Sequence, residues 1–310
     1  MRRHFVPLII SLLPAVIAGC FPNANSAESS QSDKIWGQQG VADGRFQRPR
    51  AIAIDSEDRI FIVDMTARIQ AFDSEGTFIR SWRTPAWDNG KPSGLSFDNN
   101  GNLLVADTHY FRMLVYTPEG ELLQERTIGG EAGNAPGQFG FVTDIVEDSH
   151  GNYYIAEYGE FDRIQKFSPD GEFLMQWGGH GRERKEFMRP NNLAIDAQDR
   201  LWVVDSCNHR IKVYDARGDE PKLVKMWGVE GTAPGQMRYP YDLELDGQGN
   251  VYVTEFGNHR VQKFTEDGES LGVFGGPGRE AGQFYQPWAL ALDSHGRLNI
   301  LDSYNHRVQR

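Results

Sequence analysis

Apolar and polar residues alternate along this chain in short runs, and the runs recur. The clearest copy spans residues 190–214, where a proline opens three alternating runs separated by polar turns. Alternation with a period of two predicts half-buried β-strands, and Asp-Gly or Glu-Gly pairs between runs predict hairpin turns. A fourth run follows in most copies and often ends in an aromatic residue and glycine, as at Trp227 and Gly228. Each copy is therefore predicted to form four short antiparallel strands.

Six such copies fill most of the chain and keep one internal spacing. Each copy opens 15 positions before a carboxylate that ends its second run. The opening residues are Pro49, Pro92, Val142, Pro190, Pro240 and Pro287. A fixed phase within copies of variable separation marks a structural repeat, and a four-stranded sheet needs neighbours to bury both of its faces. The pattern predicts an all-β fold, a six-bladed β-propeller of four-stranded antiparallel blades.

The two ends of the repeat region complete each other. The last copy stops at Arg310, in its third strand, and lacks a fourth run. Residues 34–37 (KIWG) match the fourth run at residues 225–228 (KMWG). We expect this N-terminal strand to pair with residues 306–310, complete the last blade and close the ring. The predicted propeller domain is residues 33–310.

The first 32 residues differ in character from the repeats. Residues 1–20 read as a signal peptide, because Arg2 and Arg3 precede an apolar stretch that is too short to span a bilayer comfortably. The stretch ends in Ile-Ala-Gly-Cys at residues 17–20, which resembles the bacterial lipobox. That resemblance implies cleavage before Cys20 and its acylation; the alternative is an ordinary signal peptide with an incidental cysteine. Residues 21–32 are polar and predict a flexible tether.

A lipobox also implies a location. Phe21, rather than aspartate, follows Cys20, which favours the outer membrane by resemblance to bacterial lipoprotein sorting. We therefore expect a lipid-anchored protein of the bacterial cell envelope, facing the periplasm or the cell surface, whose only membrane contact is the anchor. The other cysteine, Cys207, then has no disulfide partner.

Charge narrows the choice of partners. The formal net charge is −11. Nucleic acids and anionic lipid surfaces are bound through basic footprints, so neither is expected as the main partner. We expect a monomer.

The triplets Asn-His-Arg at residues 208–210, 258–260 and 305–307 and the spacing from proline to carboxylate resemble the NHL repeat family over residues 33–310. The first three copies depart from the pattern and keep only the arginine, at Arg68, Arg112 and Arg163. NHL propellers elsewhere mostly act as interaction modules. The resemblance therefore implies a non-catalytic binding protein that presents its loop face to a protein, peptide or glycan.

Each repeat carboxylate is followed four to six residues later by an arginine at the start of the next strand. Across a hairpin loop this spacing predicts an ion pair that locks the strand ends. The six predicted structural pairs are Asp64 and Arg68, Asp107 and Arg112, Glu157 and Arg163, Asp205 and Arg210, Glu255 and Arg260, and Asp302 and Arg307.

The start of each first strand is expected to line the central channel. Two positions after the opening residue lie Asp144, Asn192 and Asp242, whose hard oxygen ligands suit Ca²⁺ or Mg²⁺. One position after it lie the candidates for a ligand site at the channel mouth, Arg50, Asn191, Tyr241 and Trp288. A water-filled polar channel, an organic ligand and a metal all remain open here. Arg50 is also a candidate counter-charge for the two aspartates.

An enzyme is the alternative to a binding module. Gluconolactonases, which are related six-bladed propellers, hold a divalent metal in the channel, although their aspartate follows the proline directly. Amidating lyases of the NHL type use zinc-binding histidines in the channel, and no histidine occupies that phase in this chain. The sequence predicts no catalytic residue and no cofactor beyond a Ca²⁺ or Mg²⁺ ion. A metal-dependent hydrolase or lyase of the lactonase-like type stays as the alternative.

Overall fold

The computed structural model describes residues 32–310, which form six four-stranded antiparallel sheets arranged as a propeller. The predicted fold is confirmed. The signal peptide and most of the tether, including Cys20, lie outside the described residues. Within residues 32–310, no helix is long and apolar enough to cross a membrane.

The strands follow the predicted repeat. A short strand, β1 (Ile35–Trp36), precedes the first full blade. Blades 1 and 2 contain β2 (Ala51–Ile54), β3 (Ile60–Val63), β4 (Arg68–Phe72), β5 (Phe78–Arg83), β6 (Gly94–Phe97), β7 (Leu103–Asp107), β8 (Arg112–Tyr116) and β9 (Ile128–Gly129). Blades 3 and 4 contain β10 (Phe141–Glu147), β11 (Tyr153–Tyr158), β12 (Arg163–Phe167), β13 (Phe173–Gly178), β14 (Pro190–Ile195), β15 (Arg200–Asp205), β16 (Arg210–Asp215) and β17 (Lys222–Trp227). Blades 5 and 6 contain β18 (Pro240–Leu245), β19 (Asn250–Glu255), β20 (Arg260–Thr265), β21 (Ser270–Phe274), β22 (Leu290–Leu292), β23 (Leu298–Asp302) and β24 (Arg307–Gln309).

Short 3₁₀ helices supplement the strands at four places in the described chain. They span Thr108–Tyr110, Gln124–Arg126, Ser206–Asn208 and Ser303–Asn305. Three of them lie in the loops between the second and third strands of a blade. The fourth lies in blade 2, where it takes up chain that forms part of the outer strand in other blades.

The ring closes through the N-terminal strand, as predicted. Ile35 pairs with Gln309 and Trp36 with Val308, so β1 is the fourth strand of blade 6. The Trp36 ring lies 5.7 Å from that of Phe46 and 4.7 Å from that of Phe72, measured between centroids. Since Phe72 belongs to blade 1, this side chain joins the last blade to the first.

The apolar core lies between the blades rather than within one layer. A middle strand such as β3 is buried along its whole length, because both of its faces pack on neighbouring blades. An outer strand such as β5 alternates between half-buried and exposed residues. The clean alternation that the sequence predicts therefore describes the outer strands better than the middle ones.

The histidines of the repeat triplets hold successive repeats together. The backbone of His209, His259 and His306 has φ values of 55°, 56° and 58°. This left-handed conformation is one that histidine adopts more readily than most residues. Their Nδ1 atoms accept hydrogen bonds from backbone N–H groups one repeat further on, at 2.9–3.0 Å. Burial lowers the pKa of each of these imidazoles, which favours the neutral form that can accept.

Candidate functional site

The first strands of the six blades surround a central channel that contains a cavity of about 240 Å³. Seven sequence-predicted channel residues line this cavity: Arg50, Asp144, Asn191, Asn192, Tyr241, Asp242 and Trp288. The structure therefore brings the candidate metal ligands and the candidate mouth residues into one site.

β-bulges explain how two adjacent residues of a strand reach the same cavity. The pairing register shifts between Val142 and Asp144, between Pro190 and Asn192, and between Pro240 and Asp242. A bulge places an extra residue on one strand and turns its side chain away from the regular alternation. Both Asn191 and Asn192 thus line the channel, although strict alternation would put them on opposite faces of the sheet.

Deeper in the channel, the polar residues link one blade to the next. The Asp144 carboxylate accepts hydrogen bonds from the Leu193 N–H at 3.0 Å and from the Asn192 side-chain amide at 2.9 Å. The side-chain carbonyl of Asn192 accepts a hydrogen bond from the Leu243 N–H at 3.1 Å. Asp242 accepts from the Leu290 N–H at 2.9 Å. These contacts form a belt across blades 3 to 6.

A third acid, Glu244, joins this belt on the channel side and was not among the predicted residues. It lies two positions after Asp242 on β18, so both side chains project from the same face. Burial raises the pKa of Asp242 to about 7 and that of Glu244 to about 8, and the neighbouring carboxylates add to the effect on Glu244. Burial, reinforced by Asp242, also raises the pKa of Asp144 well above its usual range. Burial in the channel therefore favours the protonated form of these three acids.

The fit of these residues to a divalent cation is limited by the contacts they already make. One carboxylate oxygen each of Asp144 and Asp242 is held by a backbone N–H of the next blade. Across the described chain, no group of three or more His, Cys, Asp or Glu residues has the arrangement of a metal site. The Ca²⁺ or Mg²⁺ site stays a prediction, and the contacts favour a structural role for the belt.

At the mouth of the channel, arginines alternate with aromatic rings. The Arg50 guanidinium lies 5.0 Å from the centre of the Trp288 ring, and the Trp288 ring lies 4.9 Å from that of Tyr241. Arg189, which precedes β14, lies over Tyr241 at 5.4 Å and over Tyr158 at 4.8 Å. We call these five residues, Arg50, Tyr158, Arg189, Tyr241 and Trp288, the arginine–aromatic mouth. Arg189 and Tyr158 are additions that the repeat pattern alone does not single out.

Arg50 is not the counter-charge of the channel acids. No carboxylate among residues 32–310 lies within the 4.0 Å of an ion pair from either Arg50 or Arg189. Burial lowers the pKa of Arg50, and the nearby Arg189 charge acts in the same direction. The expectation that Arg50 pairs with the aspartates is therefore wrong. Its side chain lies with the aromatic rings at the mouth instead.

The smaller polar residues near the channel mouth form hydrogen bonds with other residues of the propeller. Asn191 donates its side-chain amide to the Tyr241 carbonyl at 2.8 Å. Thr143 donates to the Pro190 carbonyl at 2.7 Å. Ser93 shares a hydrogen bond with the Thr108 hydroxyl at 2.7 Å, without a base beside it. The contacts of Asn191 and Thr143 join neighbouring blades, whereas that of Ser93 lies within blade 2. Together they leave few free polar groups for a ligand.

The repeat carboxylates lie beside their arginines. The Nε atom contacts the carboxylate at 2.5–2.8 Å in blades 2 to 6, whereas Arg68 and Asp64 in blade 1 lie 3.7 Å apart. The carboxylates of Asp64, Asp205, Glu255 and Asp302 also accept from a backbone N–H of the incoming loop at 2.7–2.9 Å. The arginine N–H groups bind carbonyls of that same loop, as Arg260 does at Thr232, Ala233 and Gln236. This geometry supports a structural role for the six pairs.

Comparison with known proteins identifies the last three of the six repeats. The NHL repeat model matches residues 187–214, 237–264 and 284–310. Peptidyl-glycine alpha-amidating monooxygenase B of Xenopus laevis is 27% identical over 64% of this chain and 22% of its own length. NHL repeat-containing protein 3 of Mus musculus is 28% identical over 53% of this chain and 51% of its own. This chain thus spans about a fifth to a half of the length of these relatives. A gluconolactonase structure from Xanthomonas campestris superposes with a TM-score of 0.64 at 13% identity, covering 90% of this chain and 96% of that one.

Proposed function

Because this chain is an NHL-repeat protein folded as a six-bladed β-propeller, we propose that it is a non-catalytic binding protein whose channel mouth holds part of a protein, peptide or glycan. The observation that carries the proposal is the arginine–aromatic mouth. Arg50, Tyr241 and Trp288 line the cavity, and Arg189 lies over the Tyr241 ring. Neither guanidinium group has a carboxylate partner in the described structure. Aromatic and arginine side chains are the residues most enriched at binding hot spots.

The size of the cavity limits what can enter it. Pockets that enclose drug-sized ligands measure about 300–1,000 Å³, and this one measures about 240 Å³. A chain end or a single side group fits in this volume, while a folded domain can only rest on the loops around it. We infer that a ligand inserts one terminal group and lies across the loop face with the rest.

The mouth lacks the arrangement of a nucleophilic enzyme. A catalytic hydroxyl needs an adjacent base, and the Ser93 hydroxyl is paired with the Thr108 hydroxyl instead. Burial raises the pKa of the Cys207 thiol, which disfavours a reactive thiolate. Both observations support a binding role.

The alternative is a metal-dependent hydrolase or lyase, for which the likeness to the gluconolactonase supports the fold alone. Calorimetric titration with Ca²⁺, Mg²⁺ and Mn²⁺ distinguishes the two. Heat of binding in the wild type that disappears in Asp144→Asn/Asp242→Asn supports the alternative. No heat and no thermal shift with any of the three ions ends it.

We also propose that Cys20 anchors the protein to the outer membrane of a bacterial envelope. The support is the lipobox-like sequence before it, which lies outside the described residues. Two or more acyl chains anchor a protein stably. Cys20→Ser should therefore abolish processing and labelling by a palmitate analogue, and unchanged labelling would refute lipidation.

The binding proposal is tested with immobilised peptide and glycan collections and the detergent-solubilised full-length protein. Trp288→Ala should lose the ligands that the wild type retains. Trp87→Ala is a matched control, because Trp87 also lies under an arginine, Arg83 at 5.4 Å, yet does not line the channel. Equal retention by the wild type and Trp288→Ala would contradict a binding site at the mouth.

A further inference from the structure

We propose that the arginine–aromatic mouth is an anion site for the carboxylate of an apolar organic acid, with Arg50 and Arg189 as the donors and Tyr241 and Trp288 as the wall. This inference rests on the proposed binding function and names the chemistry of the group that enters the mouth. The acid is either a free molecule or the end of a longer chain. Both present the same carboxylate beside an apolar body.

Two arginines at the mouth lack a counter-charge. The six repeat arginines all lie beside their own carboxylates, and other arginines such as Arg59, Arg126 and Arg297 also do. Other arginines without an ion pair in the described chain, such as Arg83 and Arg182, are exposed to solvent. Arg50 and Arg189 are half-buried at one place without a carboxylate partner, and their charges act on each other. The Arg189 Nε atom is buried without a hydrogen-bond partner among residues 32–310. A buried polar group without a partner is costly, so a bound anion would stabilise both side chains.

The aromatic rings orient the two guanidinium groups. Each guanidinium lies over an aromatic ring, which orients it through a cation–π contact of roughly 0.5–2 kcal/mol. A guanidinium held in this way keeps the N–H donors in its own plane available. A fork of N–H donors matches the two oxygens of a carboxylate. The mouth is thus prepared for an anion before any ligand arrives.

The residues around the two arginines favour an apolar body for the rest of the ligand. A sugar needs several hydrogen-bonding partners for its hydroxyl groups, but the polar groups of Ser93, Thr143 and Asn191 are already bound to the scaffold. The rings of Tyr241, Phe256 and Trp288 pack within 4.5–5.6 Å of one another and offer an apolar wall. This composition favours an apolar body over a polyhydroxylated one.

The acids in the channel favour a ligand with a single negative charge. Asp144, Asp242 and Glu244 line the cavity below the mouth. Burial raises the pKa of these carboxyl groups and favours their neutral forms, but any that ionise repel an anion above them. A phosphate dianion meets more of this repulsion than a carboxylate does. The site therefore favours a monoanion.

The test uses phenylacetate and its neutral isostere phenylacetamide, titrated into the full-length protein while the fluorescence of the tryptophans is followed. We expect phenylacetate to bind and phenylacetamide to bind at least about tenfold more weakly, since a hydrogen bond to a charged group contributes about 1.5–3 kcal/mol. Arg50→Gln and Arg189→Gln should each weaken phenylacetate binding by a similar factor. Arg83→Gln, the arginine stacked on Trp87 outside the channel, should leave it unchanged. Because neither Arg50 nor Arg189 has an ion pair in the described chain, both variants should keep the wild-type melting temperature.

Further arms identify the source of the carboxylate. An N-acetylated tripeptide ending in phenylalanine is compared as the free acid and as the C-terminal amide. Tighter binding of the peptide acid than of phenylacetate indicates a chain end, and the reverse indicates a free small acid. Preference for an oligosaccharide of uronic acids would overturn the apolar part of the proposal. Equal binding of phenylacetate and phenylacetamide, or no binding of any acid, would overturn the anion site, whereas the proposed function is judged separately by Trp288→Ala on the ligand collections.

Discussion

Asp242 and Glu244 face the same channel from one strand, which couples their protonation to the stability of the fold. Their folded pKa values of about 7 and about 8 lie above the ordinary values of 3.8 and 4.5. The folded state therefore holds more protons than the unfolded state between these limits, and stability falls as the pH rises through that range. Below about pH 4 both states are protonated and the penalty vanishes.

The first prediction follows from this sign. Asp242→Asn/Glu244→Gln removes the penalty while an amide carbonyl still accepts from the Leu290 N–H. The melting temperature of the double variant relative to wild type should therefore increase steadily between pH 4 and pH 8 in thermal unfolding by circular dichroism. Glu172→Gln, which replaces an exposed acid, should show no such trend. A constant difference across the range would mean that the acids titrate normally.

Lys212 gives a second prediction, because the repeat itself supplies a better residue. The side chain is fully buried, and burial lowers its pKa to about 8. At the equivalent position, Gln165, Gln262 and Gln309 donate to a carbonyl of the incoming loop at 2.6–2.8 Å and accept from a glycine N–H. Lys212→Gln should raise the free energy of unfolding by about 1 kcal/mol.

The gain from Lys212→Gln should depend on pH. The cost of burying the charge is complete below pH 8 and disappears as the pH rises toward 10.5, where the unfolded lysine also loses its proton. Urea unfolding at pH 7 and at pH 10 measures both values. The half-buried Lys263 is the control, and Lys263→Gln should change little. A destabilised Lys212→Gln would show that its ammonium group is needed at Asp205.

At the scale of the blade, the carboxylates of the carboxylate–arginine pairs differ in the number of hydrogen bonds that they accept. Asp205 binds Arg210, Asn208 and the Met188 N–H. The equivalent Asp107 binds Arg112, but its other oxygen is buried without a partner in the described structure, and burial raises its pKa. The same residue type at the same repeat position therefore contributes differently.

This contrast is the third prediction. Asp205→Ala removes a buried carboxylate from the half-buried Arg210 and releases the incoming loop, so it should cost about 3–5 kcal/mol of unfolding free energy. Asp107→Ala should cost distinctly less, because one carboxylate oxygen makes no contact that is lost. Urea unfolding of the two variants measures the difference. Equal losses would indicate that the arginine contact alone determines the stability of each blade.

Within a blade, the strands can be predicted from the sequence, but the bulges and the side-chain contacts cannot. Alternation and turn residues predict four strands in each copy, and blade 4 contains all four. The same reasoning cannot detect the bulges after Pro190 and Pro240, because a bulge changes the pairing without changing the composition. It also cannot foresee that Asn191 donates to the next blade while Arg50 lies against a ring, since these contacts depend on residues about 50 and 240 positions away. Glu244 had a readable signal, its spacing of two from Asp242.

At the scale of the whole molecule, one blade differs from the others in being assembled from both ends of the chain. The matching fourth run made the closure predictable from the sequence. What the sequence could not show is how small the seam is. β1 contributes two paired residues, supported by hydrogen bonds between the backbones of residues 33–34 and Arg310 at 2.8–3.3 Å. The packing of Trp36 against Phe46 and Phe72 adds an apolar contact to this seam.

The fourth prediction tests this seam with two tryptophans at the same repeat position. Trp36 and Trp227 are both half-buried, and Trp227 packs on Phe264 within a covalently continuous stretch of chain. Replacing either by alanine removes a large apolar contact and should cost up to about 3–5 kcal/mol. In Trp36→Ala, however, β1 is free to detach and leaves the edge of β24 unpaired, which is a template for association with another chain. Size-exclusion chromatography should therefore show dimers or aggregates for Trp36→Ala and a monomer for Trp227→Ala. If both variants stay monomeric with similar losses of melting temperature, the seam is no weaker than the rest of the ring, and closure depends on the backbone pairing rather than on Trp36.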